Sequence, residues 1–113
     1  MHVTRFDEPP EYTAAGHVGM RCLRLQGHEA GPVEDIWLGA SVIEPGGYIT
    51  PAASPLEKHY VVLAGAVTIA TDTDEATLKA FDSCRLAPGE RRSIRNLTDE
   101  QATLLLAMPW RSA

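Results

Sequence analysis

Turn-forming residues constrain this chain more than any other feature. Gly and Pro recur so often that every apolar run is short. The clearest case is 45–71, where a Pro-Gly-Gly corner and a Pro-rich connection precede two apolar strands joined at Ala64-Gly65. Since no segment keeps an apolar period of 3.6 residues over three turns, the sequence predicts a protein made of β-strands.

Short segments rich in Val, Ile, Leu and Thr lie between the turns. The predicted strands are 1–6, 19–25, 35–43, 58–63, 66–71, 76–80, 83–87, 91–96 and 102–108. The segments 7–16 and 26–33 are predicted surface connections. Gly46-Gly47 is predicted as the corner where the third strand leaves its sheet. So many short strands favour a sandwich or barrel, which hides strand edges by closure or by a double sheet.

Composition excludes several classes of protein. A chain of 113 residues fits one domain, and its net charge of −5 without a basic run argues against nucleic-acid binding. No apolar run approaches the roughly 20 residues that span a bilayer. The N-terminus shows no apolar region of a secretory signal, so we expect a cytoplasmic protein. Cys22 and Cys84 are expected to be reduced thiols.

Two segments resemble the sequence motifs of the cupin superfamily. Gly47 and Gly65 match the opening and closing glycines of the first motif, and Gly89 and Asn96 match residues of the second. The resemblance covers about 37–108. It implies an all-β, double-stranded β-helix (jelly-roll) barrel of the small RmlC-like type. The expected organisation is one domain, 1–113, with an N-terminal arm at 1–18 and the barrel at 35–108.

The metal-binding positions of both motifs are degenerate. The resemblance implies three His and one Glu as metal ligands, but these positions fall on Ala53, Pro55, Lys58 and Arg92. A transition metal needs imidazole, carboxylate or thiolate ligands. We therefore expect no metal and no other cofactor. One alternative stays open: a bulge could turn His59 inward beside Glu57, with His17 or His28 approaching from loops.

Strand alternation predicts which side chains enter the barrel. If Lys58 takes the inward place of the usual Glu, Tyr60 points inward too. Arg92 then enters from the facing strand, although a slip of one residue would place Arg91 there. Arg92 could bind an anionic group, Lys58 could act as a base or amine nucleophile, and Tyr60 could donate a proton. Tyr48 is expected at the mouth of the pocket.

A structural explanation of the interior cations competes with the functional one. Lys58 or Arg92 could pair with an internal carboxylate, such as Asp82 or Glu57, and fill the space of the lost metal. The remaining notable side chains have structural expectations. Trp37 is expected in the core and Trp110 at the barrel end or a dimer surface. Arg21 and Arg24 are expected on a solvated face with Glu34 and Asp35.

The sequence is consistent with three classes of function. The first is a metal-independent cupin that binds an anionic small molecule and catalyses a non-redox isomerase, lyase or cyclase reaction. The second is a binding or structural module without chemistry. The third is a metal-dependent oxygenase or lyase with atypical ligands. The sequence names no substrate, and it leaves open whether the protein is an enzyme.

Self-association is also predicted. The segment 36–43 is almost continuously apolar, and Val61 and Leu63 are expected on the outer face of their strand. A second subunit would cover such a surface, and the cupin resemblance implies a homodimer as well. We therefore expect a homodimer.

Overall fold

The computed structural model describes residues 1–111. They contain nine β-strands and a short 3-10 turn at His28–Ala30. The strands are β1 Glu11–Tyr12, β2 His17–Gln26, β3 Ile36–Ala52, β4 Lys58–Ala64, β5 Ala66–Thr71, β6 Glu75–Lys79, β7 Ser83–Leu86, β8 Arg92–Arg95 and β9 Ala102–Pro109. The predicted all-β jelly-roll barrel is confirmed. Within the described residues, no helix is long and apolar enough to cross a membrane.

Strand β3 connects the two halves of the barrel. Its first part, Ile36 to Ile43, pairs with β9, while Tyr48 to Ala52 pairs with β8. Between these parts lies Pro45-Gly46-Gly47, where Gly46 has φ of 81°. The glycine corner was predicted at the right place, but the predicted strand end at 43 is wrong. The chain bends there and continues into the second sheet, because glycine adopts positive φ without the steric cost of a side chain.

All strand pairs are antiparallel. The hydrogen-bonded order is β6-β5-β8-β3-β9-β4-β7, and β2 lies along β3 with β1 at its outer edge. The inward side chains form one apolar core. Its buried members are Trp37, Ile43, Ile49, Tyr60, Val62, Val67, Ile69, Leu86, Ile94, Ala102, Leu104 and Leu106. The alternation predicted for β4 is confirmed, since Tyr60 and Val62 are buried while His59 and Leu63 are exposed.

A second apolar cluster explains part of the apolar run in β3. Ala40 and Val42 are buried together with Leu23, and the partly buried Leu25 packs against them. Leu23 is the cross-strand partner of Ala40, and direct partners lie on one face of a sheet. Most of this second face is therefore covered within the chain itself, whereas Ile36 at the start of β3 remains 61% exposed.

The N-terminal segment differs from its prediction. No strand forms at 1–6, and the short strand β1 lies instead in the predicted connection, paired with Cys22 and Leu23 of β2. Strand β2 begins at His17, two residues before the predicted start. The residues before Gly19 were not predicted as strand because the pairing is irregular there. Gly19 has φ of 66° at a register shift between Val18 and Met20. A glycine in a strand often marks such a bulge.

Asn96 lies at one end of the barrel, directly after the last residue of β8. It is fully buried, and its Nδ2 donates to the carbonyl oxygens of Ile43 at 3.0 Å and Glu100 at 2.7 Å. Its Oδ1 accepts a hydrogen bond from the backbone N–H of Thr98 at 3.0 Å. These hydrogen bonds give Asn96 a structural role. A buried amide with this many partners holds β3 and the β8–β9 connection together.

Candidate functional site

A cluster of cationic and proton-carrying side chains lies inside one end of the barrel. Strands β2, β4 and β8 begin at this end, with His17, Lys58 and Arg92, and β3 ends there at Ala52. Ala52 is the cross-strand partner of Arg92, which also pairs with Thr71 of β5. We call His17, Lys58, Tyr60 and Arg92 the barrel-end cluster.

Arg92 is the most buried charge of this cluster. Its relative exposure is 6%, and its Nη1 donates to the carbonyl oxygen of Ala52 at 3.3 Å. The buried Nε–H has no hydrogen-bond partner among residues 1–111. In a guanidinium, Nε shares its two-donor edge with Nη2, away from Nη1. Arg92 is therefore fixed at one side, while the edge that suits a carboxylate or phosphate carries an unsatisfied donor.

Lys58 adds a second positive charge. It is partly buried, and its pKa is lowered to about 8, first by burial and then by Arg92 nearby. Burial disfavours the charged form of an amine, and a neighbouring cation does the same. At neutral pH most Lys58 side chains still carry a proton, so the site holds two positive charges.

Tyr60 lies beneath these cations in the core. Burial raises the pKa of its hydroxyl, and Arg92 opposes this shift only in part. The phenol therefore keeps its proton at neutral pH and can act as a hydrogen-bond donor. Lys58, Tyr60 and Arg92 were predicted from the sequence as catalytic residues, and the structure brings all three together. Their chemical roles stay predictions.

His17 is the member of the cluster that the sequence analysis considered only as a loop ligand of the atypical metal site. It was expected in a solvent-exposed loop, but it is the first residue of β2 and pairs with the buried Ile49. Direct cross-strand partners share a face, so His17 lies on the inner face of the barrel. Burial lowers its pKa most, and Arg92 and Lys58 lower it further, against a hydrogen bond to Ala15. The sequence signal that could have placed His17 in the strand is Gly19. A glycine in a strand often marks a bulge, and this strand continues beyond the bulge to His17.

The carboxylates proposed as internal partners lie elsewhere. Glu57 forms an exposed ion pair with Arg85, and the Asp82 carboxylate accepts a hydrogen bond from the backbone N–H of Lys79 at 2.9 Å. None of the ion pairs found within residues 1–111 includes Lys58 or Arg92. The structure therefore gives no support to the explanation in which an internal carboxylate neutralises these cations.

The family's metal position does not suit a metal ion in this chain. Lys58 and Arg92 stand at two of the ligand positions, and a cation cannot donate a lone pair to a metal. In the described part of the chain, no group of three or more His, Cys, Asp or Glu side chains is arranged to hold a metal. The atypical alternative needs His59 inside. Instead His59 is exposed and pairs regularly with Arg85, without the bulge that would turn it inward.

Two further candidates lie away from the cluster. Tyr48 was predicted at the pocket mouth, but it is 38% exposed and adjoins the buried Ile49. Because neighbouring strand residues point to opposite faces, Tyr48 lies on the outer face, and the structure does not bring it to the site. Arg91 is exposed while Arg92 is buried, so the register with Arg92 inward is the one observed.

An aromatic group packs beside β2 and β3. The Arg24 guanidinium lies 3.5 Å from the Tyr12 ring centroid and 4.9 Å from that of Trp37. His28 contacts Trp37 and Trp110 edge to face, with centroid distances of 4.7 and 4.6 Å. The prediction that Trp37 is in the core is confirmed. Arg24 was wrongly predicted on a solvated face, because its flat cation packs on aromatic rings.

Neither cysteine is activated by this environment. Both thiols are free, and burial raises the pKa of Cys22 and of Cys84. A protonated thiol is a weak nucleophile. The barrel-end cluster of His17, Lys58, Tyr60 and Arg92 therefore remains the candidate site.

The comparison with known families agrees with this fold. A family model described as a cupin domain matches residues 40–108. The chain belongs to the cupin family. A Mycobacterium tuberculosis protein named beta-D-galactosidase is 45% identical over 108 residues, covering 96% of this chain and 93% of that protein.

Solved structures show the same architecture. The polyketide cyclase RemF from Streptomyces resistomycificus superposes with a TM-score of 0.85 at 14% identity, covering 96% of this chain and 79% of that one. A predicted oxalate decarboxylase from Thermotoga maritima superposes with a TM-score of 0.80 at 22% identity, covering 98% and 100%. At these identities the likeness establishes the fold and leaves the reaction open.

Proposed function

We propose that this cupin binds an anionic group of a small molecule at the barrel-end cluster, without a metal, and carries out non-redox acid–base chemistry on it. The reaction class is isomerase, lyase or cyclase. The observation that carries the proposal is the buried Nε–H of Arg92, which has no partner within residues 1–111 although the side chain is 6% exposed.

The energetics of burial support a ligand at this position. An unpaired cation buried in a protein costs several kcal/mol, because it loses its hydration without gaining a counter-charge. Guanidinium groups do not lose their charge in proteins, so deprotonation does not relieve this cost. A carboxylate or phosphate that accepts from the unpaired Nε–H would offset the cost through a charge-assisted hydrogen bond.

The other members of the cluster supply roles around that anion. Lys58, with a pKa of about 8, adds positive charge and exchanges protons readily near neutral pH. Tyr60 keeps its proton and can donate to an oxygen of the ligand. This set can hold an anion and stabilise negative charge that develops next to it.

Calorimetric titration with inorganic phosphate and with acetate tests the proposal. We expect the wild-type protein to bind at least one of them, and Arg92→Gln to weaken that binding tenfold or more. Arg91→Gln is the matched control, because Arg91 is the exposed neighbour of Arg92 in the sequence. Equal affinities of wild type and Arg92→Gln, or no binding of either anion, would contradict the proposal and favour a module without this site.

A second candidate function is hydrolysis of a β-D-galactoside. It is favoured by the name of the Mycobacterium tuberculosis relative, which is 45% identical over 96% of this chain. Most glycoside hydrolases use a pair of carboxylates, whereas this cluster consists of His17, Lys58, Tyr60 and Arg92. Hydrolysis at this site would therefore need His17, Lys58 or Tyr60 as the proton-transfer groups.

An aryl β-D-galactoside separates the two candidates. If the second candidate holds, purified protein releases the aryl alcohol over many turnovers, and Tyr60→Phe or Arg92→Gln loses at least tenfold in kcat/KM while Arg91→Gln keeps it. Hydrolysis that is the same in all four proteins would place that activity outside the barrel end. No hydrolysis by wild type would remove galactosides from consideration.

A further inference from the structure

We propose that His17 is the catalytic base of the barrel-end cluster and takes a proton at Nε2 from a 2-oxo carboxylate whose carboxylate is held by Arg92 and Lys58. This inference rests on the proposed function, since it assigns a substrate class and a reaction step to the same site. His17 belongs to neither motif of the cupin resemblance, and its place in the site follows from strand register alone.

The orientation of the ring fixes which nitrogen is reactive. Nδ1 of His17 lies 2.8 Å from the carbonyl oxygen of Ala15. A carbonyl oxygen only accepts hydrogen bonds, so Nδ1 carries the proton and donates. In the neutral ring, Nε2 then holds a free lone pair. A backbone contact that fixes the tautomer in this way is a common means of presenting a basic imidazole nitrogen.

Strand register places that nitrogen on the correct side of the sheet. His17 pairs with Ile49, Ile49 pairs with Ile94, and Ile94 pairs with Ile69. The three isoleucines are buried in the core, so the whole row faces inward. Arg92 lies two residues from Ile94 along β8, on the same face. His17 and Arg92 thus lie on the same inner face, on the two strands that flank β3 at this end of the barrel.

The charges around His17 couple its basicity to the bound anion. Lys58 on β4 and Arg92 on β8 are the charged groups that act on it, and both lower its pKa together with burial. His17 is therefore neutral and ready to accept a proton at neutral pH. An anion between the two cations compensates their charge, so His17 becomes a stronger base when substrate is present.

The chemistry needs no co-reactant. Nε2 of His17 takes a proton from the carbon next to the ketone, and the electron pair of the broken C–H bond forms the double bond of an enolate. The enolate oxygen accepts a hydrogen bond from Tyr60, and Arg92 and Lys58 stabilise the added negative charge. The imidazolium then returns the proton to carbon, which isomerises the substrate at that position and restores neutral His17.

Pyruvate, the smallest stable 2-oxo carboxylate with such C–H bonds, is the test probe. Proton NMR in deuterium oxide follows exchange of its methyl protons, and calorimetry measures its binding. We expect wild type to bind pyruvate and to accelerate exchange. His17→Asn should bind within about threefold of wild type but exchange at least tenfold more slowly, because the Asn amide can replace Nδ1–H but accepts no proton. His59→Asn is the control, since His59 is exposed outside the barrel.

The outcomes distinguish this inference from the proposed function. Binding without exchange, or equal exchange in His17→Asn and wild type, overturns the role of His17 while the anion site stands. No binding of pyruvate by wild type, together with no binding of phosphate or acetate, overturns both. Nitrogen NMR of the imidazole rings gives an independent readout. The His17 pKa should rise when pyruvate is added and in Arg92→Gln, and an unchanged value in both cases contradicts the coupling.

Discussion

Lys58 and Arg92 bring positive charge into the part of the barrel where the family pattern places metal ligands. A bound metal supplies positive charge that attracts anions and stabilises enolates. Two side-chain cations supply charge of the same sign at the same end of the barrel. In the proposed function, these two cations attract the anion in place of a metal ion.

Lys58→Met should stabilise the protein by about 1 kcal/mol at pH 7, a figure that allows for its partial solvent access. The folded chain has a lowered Lys58 pKa of about 8. Between pH 8 and the ordinary value of 10.5, Lys58 therefore carries a proton in the unfolded chain but not in the folded one. Stability of wild type rises with pH through this window, and the advantage of Lys58→Met should disappear near its upper end. Urea denaturation at several pH values measures this.

Lys79→Met is the matched control for that substitution, because Lys79 is exposed on β6. It should change stability by less than about 0.5 kcal/mol at every pH. A loss of several kcal/mol in Lys58→Met would instead show that Lys58 has an internal partner. That result would revive the structural explanation of the interior cations.

At the scale of elements, β3 and the β4–β5 hairpin show two different uses of glycine. Gly46 bends β3 from one sheet into the other, and an added Cβ would meet no atom within 4 Å. Gly65 turns the hairpin with φ of 72°, and an added Cβ would lie 2.6 Å from the carbonyl oxygen of Gln101. The backbone of the β8–β9 connection therefore packs directly on this turn.

Gly65→Ala should cost about 3 kcal/mol, and Gly46→Ala about 1 kcal/mol. Both positions have positive φ and incur the strain of a left-handed backbone in an L-residue. Only at Gly65 does the new methyl group also clash with backbone, which cannot move as a flexible side chain can. Chemical denaturation of the pair tests this, and equal losses would show that the hairpin shifts away from Gln101.

At the scale of the whole molecule, the apolar surface left after folding is smaller than the sequence suggested. The second apolar cluster covers Ala40 and Val42, but Ile36 remains exposed. Ile36 lines a shallow groove of about 110 Å³ with residues of β9 and the start of β4, namely Glu57, His59, Ala107, Met108 and Pro109. We propose that a second copy of the chain covers this groove, which keeps the homodimer as a prediction.

Sedimentation velocity at micromolar concentration tests the dimer. Wild type should sediment as a dimer, and Ile36→Glu should shift it to monomer, because a charge buried in an apolar contact loses its hydration. Leu97→Glu is the control, since Leu97 is also exposed but lies in the β8–β9 connection, at the opposite end of β9 from the groove. A monomeric wild type would contradict the prediction, and dimeric Ile36→Glu would place the interface elsewhere.

Most strands could be predicted because the patterns that indicate them, alternation and turn residues, lie within short segments of the sequence. Alternation in β4 predicted an inward Tyr60, and the glycine at 65 predicted the hairpin. The N-terminal errors had a common cause, because β1 and the start of β2 are held by partners that are distant in sequence. Glu11 pairs with Leu23, and His17 pairs with Ile49. Local propensity carries no information about such partners.

The sequence by itself determined the all-β class, the resemblance to cupins with degenerate metal positions, and the inward Lys58 on β4, while it left Arg91 and Arg92 open on β8. The β class follows from turn residues and short apolar segments, and the inward side chains follow from a period of two along one strand. The motif pattern and its metal positions follow from the resemblance to cupins. The tertiary structure alone decided that Arg92 keeps an unpaired buried donor, that the carboxylates lie elsewhere and that His17 joins the site. These facts depend on register between strands far apart in the chain, which only the folded barrel fixes.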